Sequence, residues 1–257
     1  MRPYTGFATV YDLFMDNVPY DAWTDYLIEL FKIYGVEKGL VLELGCGTGS
    51  MTSRMAKKGY DMIGIDASED MLSIARQANS DNEKSILYLC QDIRDFELYG
   101  TVAGIYSVCD TMNYILTEDD LVKVFTLANN YLDKDGVFIF DLDTTYAYEK
   151  ILGDRTIAED REEGSFIWEN YYHKNEMINE INLSLFVAEE NGLYRKYEET
   201  HYRRAYSIDA IRSLVERAGM EWLAVYDALT LDKPRADSER VYIVIREKKQ
   251  VNKLYIK

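Results

Sequence analysis

The chain has 257 residues and a formal net charge of −16 at pH 7, from 45 acidic and 29 basic side chains. A nucleic-acid-binding face needs clustered Lys and Arg side chains to replace the counterions of phosphates, and the sequence contains no dense basic run. The acidity therefore argues against DNA or RNA as a substrate and would tolerate a cationic ligand.

Apolar side chains at helical spacing predict a first helix over residues 20–34. The next apolar run ends at Glu43, and Gly45, Gly47 and Gly49 follow at alternate positions before a helix predicted over residues 50–58. A dinucleotide-binding turn has the spacing G-x-G-x-x-G, whereas this turn reads G-x-G-x-G behind an acid that would repel a pyrophosphate. The turn therefore disfavours a nucleotide-dependent oxidoreductase. It suits a ligand with a cationic end and no phosphate, such as S-adenosylmethionine.

Three further apolar runs, each ending at or near an acid, predict further strands. The second run ends at Asp66, the third is followed by Asp92, and the fourth is followed by Asp110. In an open α/β sheet, ligands bind beyond the carboxyl ends of the strands, so Asp66 is placed to accept ribose hydroxyls and Asp92 an adenine amino group. With helices predicted over 69–78 and 118–131 and a fifth strand over 136–141, the alternation predicts a doubly wound, mostly parallel sheet.

The hydrophobic period changes to two over residues 165–206, and Asn191-Gly192 is a strong hairpin signal. This predicts a three-stranded antiparallel sheet inserted after the fifth strand. A helix between Ser207 and Gly219 and two strands over 221–229 and 239–247 then complete a seven-stranded α/β core. We expect a core of residues 1–145 and 207–257 and an inserted lobe of residues 146–206.

The inserted lobe is rich in aromatic side chains and leaves the core from the ligand end of the fifth strand. It is predicted to cap the substrate, with Tyr20, Trp168, Tyr171 and His201 as candidate substrate-binding residues. The alternative is a small lid whose outer face is solvated or forms a dimer.

Together these motifs resemble class I S-adenosylmethionine-dependent methyltransferases, which have a Rossmann-like fold. The resemblance implies that Met71 lies against adenine and that the segment Cys109 to Tyr114 contacts the methionine end of the cofactor. The opening segment Phe7 to Asp12 is similar to the N-terminal lid of small-molecule N-methyltransferases, including enzymes that dimethylate amino sugars. We therefore expect residues Tyr4 to Asp12 to close over the cofactor and to become ordered when it binds. The predicted cofactor-binding residues are Tyr4, Tyr11, Glu43, Gly45, Cys46, Gly47, Thr48, Gly49, Asp66, Ala67, Met71, Gln91, Asp92, Ile93, Cys109, Asp110 and Asn113.

The cysteines and histidines of the sequence predict neither a disulfide framework nor a metal site. The three cysteines have no C-x-x-C spacing, which fits a reducing cytoplasm, and two histidines alone cannot make a zinc site. The N-terminus shows no charged-then-apolar signal, and no apolar run reaches the roughly 18 residues of a membrane span. We expect a cytoplasmic protein with no metal and no membrane partner, either a monomer or a homodimer.

The expected function is S-adenosylmethionine-dependent methyl transfer to a small molecule, with an amine, a hydroxyl or a carboxylate as the acceptor. The sequence Cys109-Asp110-Thr111-Met112 stands where amino-group DNA methyltransferases carry an Asn/Asp-Pro-Pro-aromatic signature, which favours a small acceptor. No general base is assigned from the sequence. Two alternatives stay open, an RNA methyltransferase and a non-catalytic module that binds S-adenosylmethionine.

Overall fold

A central seven-stranded sheet organises the computed structural model, which describes residues 8–80, 85–189 and 191–248. The strands of the chain are β1 (Leu40–Leu44), β2 (Asp61–Asp66), β3 (Leu87–Cys90), β4 (Val102–Ser107), β5 (Leu132–Asp143), β6 (Thr156–Asp160), β7 (Gly164–His173), β8 (Ile178–Ala188), β9 (Tyr194–Arg204), β10 (Glu221–Asp227) and β11 (Arg240–Arg246). The strand order in the central sheet is β10-β11-β5-β4-β1-β2-β3, in which β11 runs antiparallel to both of its neighbours. The seven-stranded, mostly parallel sheet predicted from the sequence is confirmed.

Helices cover both faces of this sheet and begin where the sequence offers a cap. The hydroxyls of Ser68, Thr117 and Ser207 each accept a backbone N–H three residues further on, which satisfies a donor that the first turn leaves unpaired. The helices are α1 (Ala8–Phe14), α2 (Tyr20–Ile33), α3 (Ser50–Lys57), α4 (Glu69–Ala78), α5 (Glu118–Tyr131) and α6 (Ile208–Arg217), with a 3₁₀ turn at Thr111–Tyr114 and a π-helical segment at Ala147–Leu152. Helices in these described parts of the chain all lack the length or apolar character that crossing a bilayer requires.

The period of two along each central strand divides the apolar core into two layers. On β1, Leu42 and Leu44 face the layer that contains α5 and α6, whereas Val41 faces the layer that contains α2 and α3. Full burial of each such side chain contributes about 1.5–3 kcal/mol. Glu43 shares the face of Val41, so the alternation directs its carboxyl group toward α3.

The insert after β5 forms a second, antiparallel sheet with the order β6-β7-β8-β9. The predicted number of three strands is wrong, because β6 pairs with β7 along the outer edge. Four of its five residues are exposed, so β6 lacks the alternation by which a half-buried strand is recognised.

Helix α1, which the sequence did not predict, packs against the inner face of this second sheet. Phe14 is buried against Leu183 and Leu185, and its ring meets that of Phe166 edge to face at 4.9 Å. Arg161 donates to the carbonyl oxygen of Leu13 at 2.6 Å. The second sheet therefore fixes the position of α1.

Candidate functional site

A cavity of about 790 Å³ lies beyond the carboxyl ends of β1, β2 and β4. Its volume is in the range of small-molecule sites, and its position is the one where open α/β sheets bind ligands. Predicted cofactor or acceptor residues on its wall are Tyr11, Tyr20, Glu43, Gly45, Cys46, Gly47, Thr48, Asp66, Ala67, Met71, Asp92, Ile93 and Cys109.

The glycine turn forms one end of the cavity. The amides of Gly45 and Cys46 donate to the Ile65 carbonyl oxygen at 2.8 and 2.9 Å. A Cβ at Gly45 would stand 2.3 Å from Cγ2 of Thr111, so the turn and the opposite wall approach as closely as glycine allows. A Cβ at Gly47, at φ +53°, would meet no described atom within 4 Å. The backbone at Gly47 therefore borders space that a ligand can fill.

Asp66 joins the glycine turn to the start of α4. Its Oδ2 accepts the amide of Gly47 at 2.9 Å, and its Oδ1 accepts the amide of Ser68 at 2.8 Å. Burial raises the pKa of Asp66 despite these two donors. Each carboxylate oxygen keeps further acceptor capacity, so the side chain can both hold the turn and receive a hydroxyl from a ligand.

Glu43 is 3% exposed and lies behind the turn. Its Oε2 accepts the hydroxyl of Tyr106 at 2.8 Å and that of Thr52 from α3. Desolvation raises the pKa of Glu43 to about 8, against a usual value of 4.5. Glu43 therefore keeps its proton near neutral pH, and a cation in the cavity would favour the ionised form.

Asp92, which follows β3 in the chain, also lies on the cavity wall. Both of its oxygens receive hydrogen bonds from the guanidinium of Arg94, at 2.5–3.1 Å, and this pairing lowers the pKa of Asp92. The neighbouring Gln91 lies off the described wall, because its side chain accepts the Glu97 amide at 2.8 Å instead. Gly49 also lies off that wall, since it provides the left-handed N-cap of α3 and packs against Tyr88.

Asp110 and Asn113 were predicted to contact the cofactor, and the structure places both behind the described wall. Asp110 is 2.5 Å from Arg203 Nη1 and 3.3 Å from Arg240 Nη2. The Asn113 side chain bridges β5 to β9 by accepting the Asp143 amide at 3.0 Å and donating to the Arg204 carbonyl oxygen at 2.8 Å. Ion pairs with arginines from distant strands thus hold the Asp110 carboxyl group away from the cavity. The Asn113 side chain has a structural role, because it links two strands.

Asp141, which the sequence analysis missed, shapes this part of the wall. Its two oxygens accept the amides of Cys109 at 3.1 Å and Asp110 at 2.9 Å, and both of these residues have a left-handed backbone. Arg240 donates to the same carboxyl group at 2.9 Å. Non-glycine residues in this conformation need such support. The signal that could have found Asp141 is its position at the end of the predicted fifth strand. Acids at or near the ends of the first four strands were predicted as site residues on the same ground.

Aromatic side chains close the remaining side of the cavity. Tyr11 reaches the wall from α1, Tyr20 from α2, and Tyr114 from the 3₁₀ turn. Burial raises the pKa of Tyr11 well above its usual value, so its phenol stays protonated. Asp12 accepts the hydroxyl of Thr48 at 2.7 Å, which ties α1 to the glycine turn. The predicted residue Tyr4 lies outside the described residues.

The acceptor residues predicted on the insert do not reach the described wall. Trp168 faces α1 and donates to Asn170 at 3.0 Å, whereas Tyr171 lies on the outer face of the sheet and is 43% exposed. His201 is buried behind Tyr114, with the two rings edge to face at 5.9 Å. The physical reason is the position of α1 and the 3₁₀ turn, which stand between the second sheet and the cavity.

Comparisons with known proteins agree with this architecture. A family model described as a methyltransferase domain matches residues 41–136. YqeM of Bacillus subtilis, which carries the name of a methyltransferase, is 33% identical over 250 residues that cover 96% of this chain and 98% of YqeM. The crystal structure of an S-adenosylmethionine-dependent methyltransferase from Clostridium acetobutylicum superposes with a TM-score of 0.86. The two sequences are 28% identical, and the match covers 96% of this chain and 100% of the Clostridium chain.

A Streptomyces venezuelae enzyme named dTDP-3-amino-3,4,6-trideoxy-alpha-D-glucopyranose N,N-dimethyltransferase is 29% identical over 136 residues, which cover 52% of this chain and 56% of that enzyme. The match to YqeM runs over nearly the whole of both chains, and the Clostridium structure shares the same complete fold. The chain belongs to the class I S-adenosylmethionine-dependent methyltransferases.

Proposed function

We infer that S-adenosylmethionine occupies the cavity described above and that its methyl group passes to a small-molecule amine. When bound, S-adenosylmethionine supplies a methyl group already activated on a sulfonium. The chain has to orient the reacting atoms and exclude water. The open space beside Gly47 and the spare acceptor capacity of Asp66 both suit an adenosine with its ribose hydroxyls.

The charge of the cavity wall is the observation that carries the choice of an amine. Besides Glu43, whose pKa of about 8 keeps it mostly protonated near neutral pH, the described wall has four carboxyl groups against one guanidinium, and three tyrosine rings also line it. Negative charge and aromatic faces both attract cations, whereas a carboxylate acceptor would be repelled. An amine that arrives as an ammonium therefore suits this wall better than an acid does. The wall residues concerned are Glu43, Asp66, Glu69, Asp70, Asp92 and Arg94, with Tyr11, Tyr20 and Tyr114.

The similarity to the Streptomyces venezuelae enzyme supports the same choice, since that enzyme's name describes N,N-dimethylation of an amino sugar. The net charge of −16 weighs against the RNA alternative, because phosphate binding depends on concentrated basic side chains. Residues 146–206 would act as a cap that holds α1 over the cavity and thereby excludes water.

Methyl transfer to matched acceptors tests this proposal. Purified protein is incubated with S-adenosylmethionine and each of cyclohexylamine, cyclohexanol, cyclohexanecarboxylate, glucosamine and glucose. Formation of S-adenosylhomocysteine is measured, and the products are identified by mass. We expect transfer to the amines alone. Transfer to the alcohol or the carboxylate in preference to the amine, or to RNA, would overturn the proposal.

A further inference from the structure

An amine that enters the cavity as an ammonium must lose a proton before its nitrogen can attack a methyl group. The hydroxyl of the wall residue Tyr114 has polar partners on β9 of the second sheet. Arg203 donates from Nη2 to the Tyr114 hydroxyl oxygen at 3.1 Å, and its guanidinium lies 5.0 Å from the Tyr114 ring. A guanidinium has no acceptor atom, so the proton of the Tyr114 hydroxyl points to another partner.

His201 on β9 offers an acceptor for that proton. Its Nδ1 lies 3.5 Å from the Tyr114 hydroxyl oxygen, and its Nε2 lies 3.2 Å from Oε2 of Glu199. The tautomer that carries its proton on Nε2 presents Nδ1 to Tyr114 as an acceptor and keeps Nε2 at ion-pair distance from the Glu199 carboxylate. His201 is 5% and Glu199 6% exposed, so the pair lies away from solvent.

The alternation of β9 explains how these groups come together. Residues 199, 201 and 203 share the inner face of the second sheet, because side chains two apart in a strand point the same way. Glu199, His201 and Arg203 therefore form one row directed at the 3₁₀ turn.

We propose that Tyr114, His201 and Glu199 form a proton relay that deprotonates the acceptor amine for methyl transfer. This inference rests on the proposed function, since only an acceptor that arrives protonated needs the relay. It gives the insert a chemical task besides holding α1.

One N–H bond of the acceptor ammonium breaks and its proton forms an O–H bond with Tyr114, while the original Tyr114 proton passes to Nδ1 of His201. The released nitrogen lone pair forms the N–C bond with the methyl group as the C–S bond breaks and its electron pair remains on sulfur. The products are a methylated ammonium, S-adenosylhomocysteine and a proton held on His201.

The charges around the relay favour this direction of transfer. A buried imidazolium is costly unless it is paired, and Glu199 supplies the opposite charge. Arg203 would oppose a second positive charge, but it is itself 2.5 Å from the carboxylate of Asp110. The ionisable groups that face Tyr114 and His201 are Glu199 and Arg203 from β9, Asp110 from the segment after β4, Tyr148 from the π-helical segment and Tyr11 from α1.

The second histidine of the chain offers a matched control. His173 Nε2 lies 3.2 Å from Glu180 Oε2, the same distance as in the buried pair, but on the outer face of the same sheet. The variants Tyr114→Phe, His201→Gln and Glu199→Gln are compared with His173→Gln. Calorimetry of S-adenosylmethionine binding checks that each variant retains the cofactor site.

Kinetics with two acceptors of similar shape separate a relay from a structural role. Cyclohexylamine is protonated near neutral pH, whereas aniline is neutral. We expect Tyr114→Phe and His201→Gln to lower kcat for cyclohexylamine on the order of 10²–10⁴-fold, the range of general acid–base catalysis, with little change in KM. The deficit should shrink as the pH rises and should be within a few fold for aniline. His173→Gln should match the wild-type protein throughout.

Three results would overturn the relay, and one of them would also overturn the proposed function. Equal losses for cyclohexylamine and aniline at every pH would reduce Tyr114 and His201 to structural residues. Unchanged kcat in both variants, with wild-type protein active on cyclohexylamine, would refute the relay and leave the proposed function intact. Failure of the wild-type protein to methylate any amine, with activity on another acceptor class, would refute the proposed function and the relay with it.

Discussion

Removing the ionisable group at position 43 should change how the stability of this protein depends on pH. The pKa of Glu43 is about 8 in the folded chain and 4.5 is its ordinary value, so between these pH values the folded state binds about one more proton than the unfolded state. As the pH rises, the free energy of unfolding then falls by about 1.4 kcal/mol per pH unit in the middle of this range, or by about 3.5 kcal/mol between pH 5 and pH 8. Glu43→Gln keeps a neutral side chain that can still accept from Thr52 and Tyr106, so this contribution should vanish.

Denaturant unfolding at pH 5, 6.5 and 8 measures the effect. The free energy of unfolding of the wild-type protein should fall relative to that of Glu43→Gln across this range, while Glu29→Gln, at an exposed position of α2, follows the wild-type protein. A cation in the cavity favours ionised Glu43, so wild-type affinity for S-adenosylmethionine should rise up to about tenfold per pH unit below pH 8. Parallel stability curves for the wild-type protein and Glu43→Gln would refute the argument that burial holds the proton on this carboxyl group.

Other substitutions test the glycine turn, the ribose site and α1. Gly45→Ala should destabilise the fold through its clash with the opposite wall. Gly47→Ala meets no clash, and its left-handed backbone costs the fold only about 1–2 kcal/mol, so its main effect should be weaker binding of S-adenosylmethionine. Equal decreases of the melting temperature in Gly45→Ala and Gly47→Ala would contradict this contrast. Asp66→Ala should weaken binding by about 1–3 kcal/mol by calorimetry, and wild-type affinity would reject its assignment to the ribose. Arg161→Ala removes a contact with Leu13 that holds α1, so hydrogen exchange in α1 should become faster. Addition of S-adenosylmethionine should slow exchange over residues 4–12. Exchange rates that change neither with the substitution nor with the cofactor would refute the assignment of this segment as a lid.

Local patterns in the sequence were sufficient for the core sheet and for most of the cavity wall. Glu43, the glycine turn, Asp66 and Asp92 could be placed because parallel strands bring their carboxyl ends to one edge, whatever packs around them. Helix starts at Ser68, Thr117 and Ser207 were equally local, since a cap depends on residues within one turn. The alternation of the insert likewise defined two faces of a sheet.

Tertiary structure alone decided which of these side chains reach the cavity. Asp110 follows a strand end in the sequence just as Asp92 does, but Arg203 and Arg240, both distant along the chain, draw it behind the wall, while Asp92 pairs with nearby Arg94. The alternation of β9 likewise could not show that α1 and the 3₁₀ turn would stand between the insert and the ligand. Strand ends and periods follow from neighbours in sequence, whereas burial and charge pairing depend on residues that only folding brings together.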